Sequence, residues 1–273
     1  MNNSPAIILV NPQMGENIGA VARAMMNFGL RELRLVAPRD GWPNPAAEAM
    51  AAHGVEIVQN AKIYATTRDA IADLHYVYAS TARDRRVRKP QLTPRESVAD
   101  MAVRADEGQK IGLLFGPERT GLENEDLALA QALVTVPTDP DHASLNIAQC
   151  AVVMAYEWFC QSGERRVAGD EMERGQQAAP ALSESQGDSA HVSDGMSRSG
   201  ADKSLPASQQ DLNAFFDHLE QALDATYFFK LDAKKPRMWR NLRTTLQRAE
   251  FSAQEVHTLY GMVVALEKGA KKG

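Results

Sequence analysis

Short, almost uninterrupted apolar runs alternate with helical periodicities through the first 160 residues of the chain. The runs are Ala6 to Val10, Leu33 to Ala37, Val55 to Val58, Tyr76 to Ser80, Ile111 to Phe115 and Leu133 to Pro137. Most are β-branched or leucine-rich and stop at Gly, Pro, Ser or Asn, the pattern of strands buried on both faces. Between them Ile18 to Phe28, Asn44 to Ala52, Thr67 to Ala72 and Glu125 to Ala132 carry apolar residues at helical spacing, and Ser144 to Phe159 reads as a long closing helix. Strands alternating with helices predict an α/β unit, a mainly parallel sheet covered on both faces.

The pattern then breaks. No Phe, Trp or Tyr occurs between Phe159 and Phe215, and the intervening residues are mostly Gly, Ser, Ala, Gln, Asp, Glu and Arg. Such a stretch buries too little apolar area to offset its ordering entropy. Periodicity returns with Leu212, Phe215, Phe216, Leu219 and Leu223. A second helix is predicted from Pro236, presenting Met238, Leu242 and Leu246, and a third follows the capping-box pair Ser252 and Glu255 and presents Val256, Leu259, Val263 and Leu266. The expected organisation is an α/β domain over 1–162, a flexible polar linker over 163–208 with a helical extension at its start, and a small all-α module over 209–273.

With 273 residues, 44% of them hydrophobic, the chain can bury a sizeable core. No run approaches the roughly 20 apolar residues of a membrane-spanning helix, so no membrane partner is expected. Two cysteines, Cys150 and Cys160, make neither a disulfide framework nor a metal-ligand spacing, which points to the reducing cytoplasm and to no metal. A net charge of −5 argues against a uniformly basic DNA binder but permits local basic patches. Two are present: Arg83, Arg85, Arg86, Arg88 and Lys89, and then Lys230, Lys234, Lys235, Arg237, Arg240, Arg243 and Arg248 with Trp239 among them. Arg presents a bidentate fork to phosphate oxygens, and two such patches on an acidic chain fit RNA. Each patch read alone is equally a solvated surface.

Three further segments are candidates for chemistry. Asn17-Ile18-Gly19 leads to Arg23 on the helix after the first strand. Arg23 lies roughly 140° around that helix from Ile18, at 100° per residue, and projects off the apolar stripe. Gly19, a poor helix former, suggests that something approaches the backbone closely. Leu113 to Leu122 is a buried strand running into Gly116-Pro117-Glu118-Arg119-Thr120-Gly121, at the strand end where open α/β sheets bind ligands. Val136-Pro137 precedes Ser144-Leu145-Asn146, with Ser144 placed to cap the closing helix. There is no Gly-x-Gly-x-x-Gly and no Walker A lysine, which disfavours a dinucleotide oxidoreductase.

In this order the three segments resemble the SPOUT class of methyltransferases, and most closely its TrmJ branch of tRNA ribose 2′-O-methyltransferases. The matching residues are Asn17, Gly19 and Arg23; Phe115, Gly116, Glu118, Gly121 and Leu122; and Val136-Pro137 through Ser144-Leu145-Asn146. The resemblance covers about residues 5 to 160 and, less distinctively, the C-terminal tail. It implies a trefoil-knotted α/β fold, a homodimer, and S-adenosylmethionine as cofactor. Ser80, Thr81, Ala82, Leu114, Gly116, Glu118, Val136, Ser144, Leu145 and Asn146 would then hold the cofactor. Arg23 would be catalytic, with Asn17 and Ser144 beside it, and the substrate would be the ribose at position 32 of a tRNA anticodon loop. A guanidinium scarcely deprotonates, so Arg23 is better suited to stabilise charge on the 2′-oxygen than to act as a base. Methylation of another RNA, such as ribosomal RNA, and RNA binding without catalysis remain the alternatives.

Overall fold

The computed structural model describes residues 4–82, 89–142, 144–177, 205–226, 228–229 and 232–270. In chain order the elements are β1 (Ala6–Val10), α1 (Gly15–Asn27), β2 (Leu33–Val36), α2 (Pro45–Ala51), α3 (Val55–Gln59), β3 (Lys62–Tyr64), α4 (Thr67–Ile71), β4 (Tyr76–Ser80), β5 (Gln91–Leu92), α5 (Pro94–Asp106), β6 (Ile111–Phe115), α6 (Asn124–Leu129), β7 (Ala132–Val134) and α7 (Ile147–Gln177). The C-terminal helices are α8 (Gln209–Ala225), α9 (Lys235–Gln247) and α10 (Ala253–Ala270). No described helix is long and apolar enough to cross a membrane.

The seven strands form one sheet in the order β3-β2-β1-β6-β4-β7-β5, and every adjacent pair is parallel. Its central strands are apolar on both faces because each face carries its own core. One face packs Ile7, Leu9, Leu113 and Phe115 against Val21 and Met25 of α1 and Met154 of α7. The other packs Ile8, Val77 and Leu114 against Ile71 and Leu127. All strands run the same way, so the loops after β4, β6 and β7 emerge along one edge.

Several predicted elements change. Val55 to Val58 is helical, not a strand: Ile57 and Val58 are buried while Glu56 is exposed. Gly54, just before it, lies so close to α1 that a Cβ would fall 2.7 Å from the Ala22 carbonyl oxygen. β7 ends at Val134, which leaves Val136 and Pro137 in a loop. Helix α5 was not predicted, although Thr93 and Glu96 form a full capping box and Val98, Met101, Ala102 and Ala105 are buried at helical spacing. The closing helix starts at Ile147 rather than Ser144 and continues to Gln177, into the segment read as linker.

The C-terminal helices build a core of their own from Leu212, Phe215, Phe216 and Val256, with Trp239 and Leu246 packed on it. The Ser252–Glu255 capping box is present, whereas Met238 and Leu266 are exposed and Arg243 and Gln247 are buried in α9. The module is docked on the sheet domain by polar contacts. Gln209 N donates to the Leu74 carbonyl at 2.8 Å, Gln210 N to Ala72 at 3.0 Å, and Gln209 Nε2 to His75 at 3.0 Å. Arg104, stacked 3.5 Å from the Tyr76 ring centroid, is gripped by both carboxylate oxygens of Glu250 at 2.9 and 2.8 Å. Burial works against the charge of Arg104, but the Glu250 carboxylate, Tyr76, Tyr78 and Asp100 raise its pKa overall.

Arg104 is 12% exposed and Glu250 39%, between the extremes of surface and buried ion pairs. Glu250→Gln, which removes the charge and keeps the shape, is expected to cost about 1–2 kcal/mol, measurable as a fall in melting temperature of about 2–4 °C per kcal/mol. A fall no larger than in an exposed Glu125→Gln control would show that the clamp does not hold the module.

Candidate active site

A cleft at the carboxyl edge of the sheet is lined by Ser80, Thr81 and Ala82 after β4, by Gly116 to Leu122 after β6, and by Val136, Ser144 and Leu145 after β7. Ile147 and Cys150 of α7 complete it, with Cys150 Sγ 3.3 Å from Ser80 Oγ. The cleft encloses about 130 Å³ at its floor and opens to solvent above. Burial raises the Cys150 thiol pKa against the opposing effect of Ser80, so the sulfur is a neutral, apolar part of the wall.

The loop after β6 is folded tightly back on its own strand. A Cβ at Gly116 would lie 2.1 Å from Leu122 N and 2.4 Å from the Gly121 carbonyl carbon, and Gly121 has φ +68°. Gly116 is therefore required by the loop backbone itself, before any ligand enters. Gly19 has a similar explanation: a Cβ there would lie 2.2 Å from the Ala47 carbonyl oxygen. The close neighbour inferred from the sequence is the backbone of α2, not a ligand.

One hydrogen-bonded chain joins the three motifs. Asn146 Nδ2 donates to Asn17 Oδ1 at 3.1 Å, and Asn17 Nδ2 donates to Glu118 Oε1 at 2.8 Å. Glu118 Oε2 accepts from Gln13 N at 3.0 Å. Asn146 also caps α7, its Oδ1 accepting from Ala148 N at 2.7 Å while its own N–H donates to Gln149 Oε1 at 3.0 Å. The capping role expected of Ser144 thus belongs to Asn146, and Ser144 faces the cleft from an exposed position.

Of the expected cofactor residues, Ser80, Thr81, Ala82, Gly116, Glu118, Val136, Ser144 and Leu145 line the cleft. Leu114 does not: it is fully buried in the core on the other sheet face, because alternate residues of β6 point to opposite sides. Asn146 and Asn17 are outside the lining but are tied to it by the hydrogen bond from Asn17 to Glu118. Arg23 is exposed on α1 and is outside the lining. Arg119 and Thr120, at the mouth, were not singled out from the sequence, although they sit inside the loop that was.

Among the expected RNA-binding residues, Arg83, Arg85, Arg86 and Arg88 lie outside the described residues. Lys89 is not on the surface: it is 7% exposed, and its Nζ donates to the carbonyls of Leu127, Ala128 and Ala130, closing the carboxyl end of α6. Those carbonyls have no partner within the helix, so an ammonium satisfies them and complements the helix dipole. Arg243 is likewise buried, donating to Asn213 Oδ1 with its guanidinium 4.9 Å from the Phe216 ring centroid. Lys235 is occupied by Asp224 at 2.5 Å and Glu220 at 3.3 Å. Lys234, Arg237 and Arg240 remain exposed, three residues apart.

A sequence model described as the SpoU rRNA methylase family matches residues 4–156, more than half of the chain. The chain belongs to the SpoU rRNA methylase family. A second model, for the C-terminal domain of the tRNA methyltransferase TrmJ, matches residues 210–273 of this SpoU-family chain. The chain is 34% identical over 265 residues to a tRNA (cytidine/uridine-2′-O-)-methyltransferase TrmJ of Yersinia enterocolitica, covering 97% of this chain and 92% of that protein. It is 31% identical over 270 residues to a tRNA (cytidine/uridine/adenosine-2′-O-)-methyltransferase TrmJ of Pseudomonas aeruginosa, covering 97% and 94%. The crystal structure of TrmJ from Z. mobilis superposes with a TM-score of 0.77 at 40% identity, covering 97% of this chain and 99% of that one.

The bridging amide of Asn17 can be tested by charge. Asn17→Asp keeps the size but sets a second carboxylate against Glu118. Two carboxylates so close cannot both ionise cheaply, so the substituted pair holds a proton above the usual carboxylate range. A raised acid stabilises the fold at low pH and loses that contribution as pH rises. The variant's melting temperature is expected to fall behind the parent's by the equivalent of about 1–2 kcal/mol between about pH 5 and about pH 8. A pH-independent offset would show that Asn17 and Glu118 are not coupled.

Proposed function

We propose that this protein transfers a methyl group from S-adenosylmethionine to a ribose 2′-oxygen of tRNA, at cytidine or uridine 32 of the anticodon loop. The observation that carries the reading is the joining of all three motifs at one cleft through Asn146, Asn17 and Glu118. Full-length similarity to proteins named as tRNA 2′-O-methyltransferases supports it. The described residues fit the cofactor. Val136, Leu145, Ile147 and Leu122 offer apolar surface to a purine, Ser80, Thr81 and Ser144 offer hydroxyl groups, and the Glu118 carboxylate favours a cationic ligand. When bound, S-adenosylmethionine supplies an electrophilic sulfonium methyl group.

The chain's own residues do the rest. Gly116 and Gly121 shape the loop, Asn17 locks it to α7, and Arg23 hydrogen-bonds the attacking 2′-oxygen and stabilises its developing negative charge. Positioning of that oxygen supplies a large share of the rate. The protein acts as a homodimer in the cytoplasm. Supporting this, Val152, Tyr156 and Phe159 share one face of α7 with exposures of 42%, 52% and 52%. Phe28, at the end of α1, joins them at ring-centroid distances of 5.9 Å to Tyr156 and 6.1 Å to Phe159. An aromatic face of this kind suits an isologous contact, and Arg23, on α1 and outside its own cleft, would act at the junction of the two copies. The trefoil knot belongs to the same proposal. It is supported by the crossing of the chain from β6 past β4 to β7 and by the packing of α7 back on α1 and α5.

Mass spectrometric mapping of bulk tRNA and of ribosomal RNA, each treated with the protein, tests the reaction: a 2′-O-methyl group at tRNA nucleotide 32 is expected, and methylation of ribosomal RNA alone would overturn the substrate. Arg23→Ala is expected to lower the single-turnover rate by about 10²-fold or more while S-adenosylhomocysteine affinity stays within about twofold. Retained turnover would remove Arg23 from the mechanism. Tyr156→Glu with Phe159→Glu is expected to halve the mass in light scattering and abolish transfer, and an unchanged mass would place the dimer contact elsewhere.

A further inference from the structure

A second cavity, of about 790 Å³, lies between the sheet domain and the C-terminal module and takes no part in the proposed cofactor site. Thr66, Thr67 and Arg68 line it from α4, Asp126 and Ala128 from α6, and Trp239, Arg240 and Arg243 from α9. Its charges are unevenly matched. Arg68 is bound by both oxygens of Asp217 at 2.8 Å, Lys235 by Glu220 and Asp224, and Asp126 by the Thr67 hydroxyl at 2.6 Å. Among the described residues Arg243 forms no ion pair: it donates to the neutral Asn213 side chain, and its buried Nε has no hydrogen-bond partner. Arg240, one helical turn before it, is exposed at the rim with no acidic contact among the described residues.

Buried guanidinium groups are costly unless an anion or a full set of acceptors compensates them. Here a second buried basic group lies nearby, since Lys89 donates to the carbonyl of Ala128, a residue of the cavity wall. The two repel: burial and then Arg243 push Lys89 down to about 7, and burial and then Arg68 push Arg243 down to about 10 against the opposing pull of Asp217 and Glu220. Resting on the reading above, we propose that this interdomain cavity is a docking site for a phosphate group of the RNA backbone, taken by Arg243 and Arg240 at its inner wall and rim. Arg243 Nε supplies a donor that only an incoming acceptor can satisfy, and Arg240 supplies a second charge. Trp239, between the aromatic core of the module and the cavity, offers an apolar ring beside the phosphate for an adjoining ribose or base. Because its two walls come from different units, the site registers the RNA on both at once. The exposed Lys234 and Arg237 would extend the same backbone track.

The test is tRNA binding by the full-length protein across a salt series, with S-adenosylhomocysteine titration of each variant as the folding control. Arg240→Ala is expected to weaken tRNA binding about five- to tenfold at moderate salt and to reduce the slope of log K against log salt by roughly 0.7–0.9, one phosphate contact. Arg243→Gln is expected to do the same; because Arg243 is buried, its result counts only if the cofactor-analogue titration matches the parent's. An unchanged affinity and slope in folded Arg240→Ala protein would overturn the site. A second arm adds inorganic phosphate alone. Stabilisation of the parent by millimolar phosphate, lost in Arg240→Ala with no change in tRNA binding, would assign the cavity to free phosphate and overturn the RNA source. Failure of the parent to methylate tRNA would overturn the proposed function instead, and it is read in a separate assay from these slopes.

Discussion

Asn17 uses both ends of one side-chain amide, and the geometry of the cleft depends on it. Its oxygen takes the Asn146 amide, which fixes the start of α7; its nitrogen gives to Glu118, which fixes the loop after β6. Residues 17, 118 and 146 are far apart in sequence, so each constraint closes a long loop of chain, and the entropy of that closure has to be offset by the packed sheet beneath. The parallel sheet makes the arrangement feasible because it delivers all three segments to one edge. With Asn17 in place, loops rich in Gly and Pro acquire a fixed shape that their local sequences alone would not impose.

The same economy of backbone governs the close contacts around the site. Gly19 and Gly54 let α2 and α3 lie directly against α1, and Gly116 lets the loop after β6 fold onto its own strand. These glycines hold elements together instead of freeing them to move. Helix α1 is thereby braced along its inner side, while Arg23 stays exposed on it.

The C-terminal module is attached differently. Its own core is small, and its contact with the sheet domain is largely polar: backbone carbonyls of residues 72, 74 and 75, the Arg104–Glu250 clamp, and the Arg68–Asp217 pair. Interfaces of this composition are specific in register yet contribute less to stability than an apolar seam. The exposed Lys234, Arg237 and Arg240 of α9 are thereby carried in a defined register with the sheet domain.

Elements whose signal is local were legible in the order of residues. Near-continuous apolar runs marked β1, β4 and β6, the i, i+3, i+4 stripe marked α1 and α8, and the Gly-x-Glu-x-x-Gly and Ser-Leu-Asn segments marked the loops that line the cleft. A local signal is also present for α5, in the Thr93–Glu96 capping box and the buried stripe after it. Which way individual side chains face, and what they meet, depends on the folded chain. Val55 to Val58 is apolar enough for a strand, but it lies against α1 and not in the sheet. Leu114 and Phe115 are neighbours in one motif, yet strand alternation leaves Phe115 at the cleft and sends Leu114 into the opposite core. Lys89 and Arg243 look like members of basic surface patches, and both are buried by partners more than 20 residues away. Periodicity reports how a segment can coil or extend; a cation's environment is set by carbonyls, rings and charges that distant parts of the chain bring to it, and those exist only once the chain has folded.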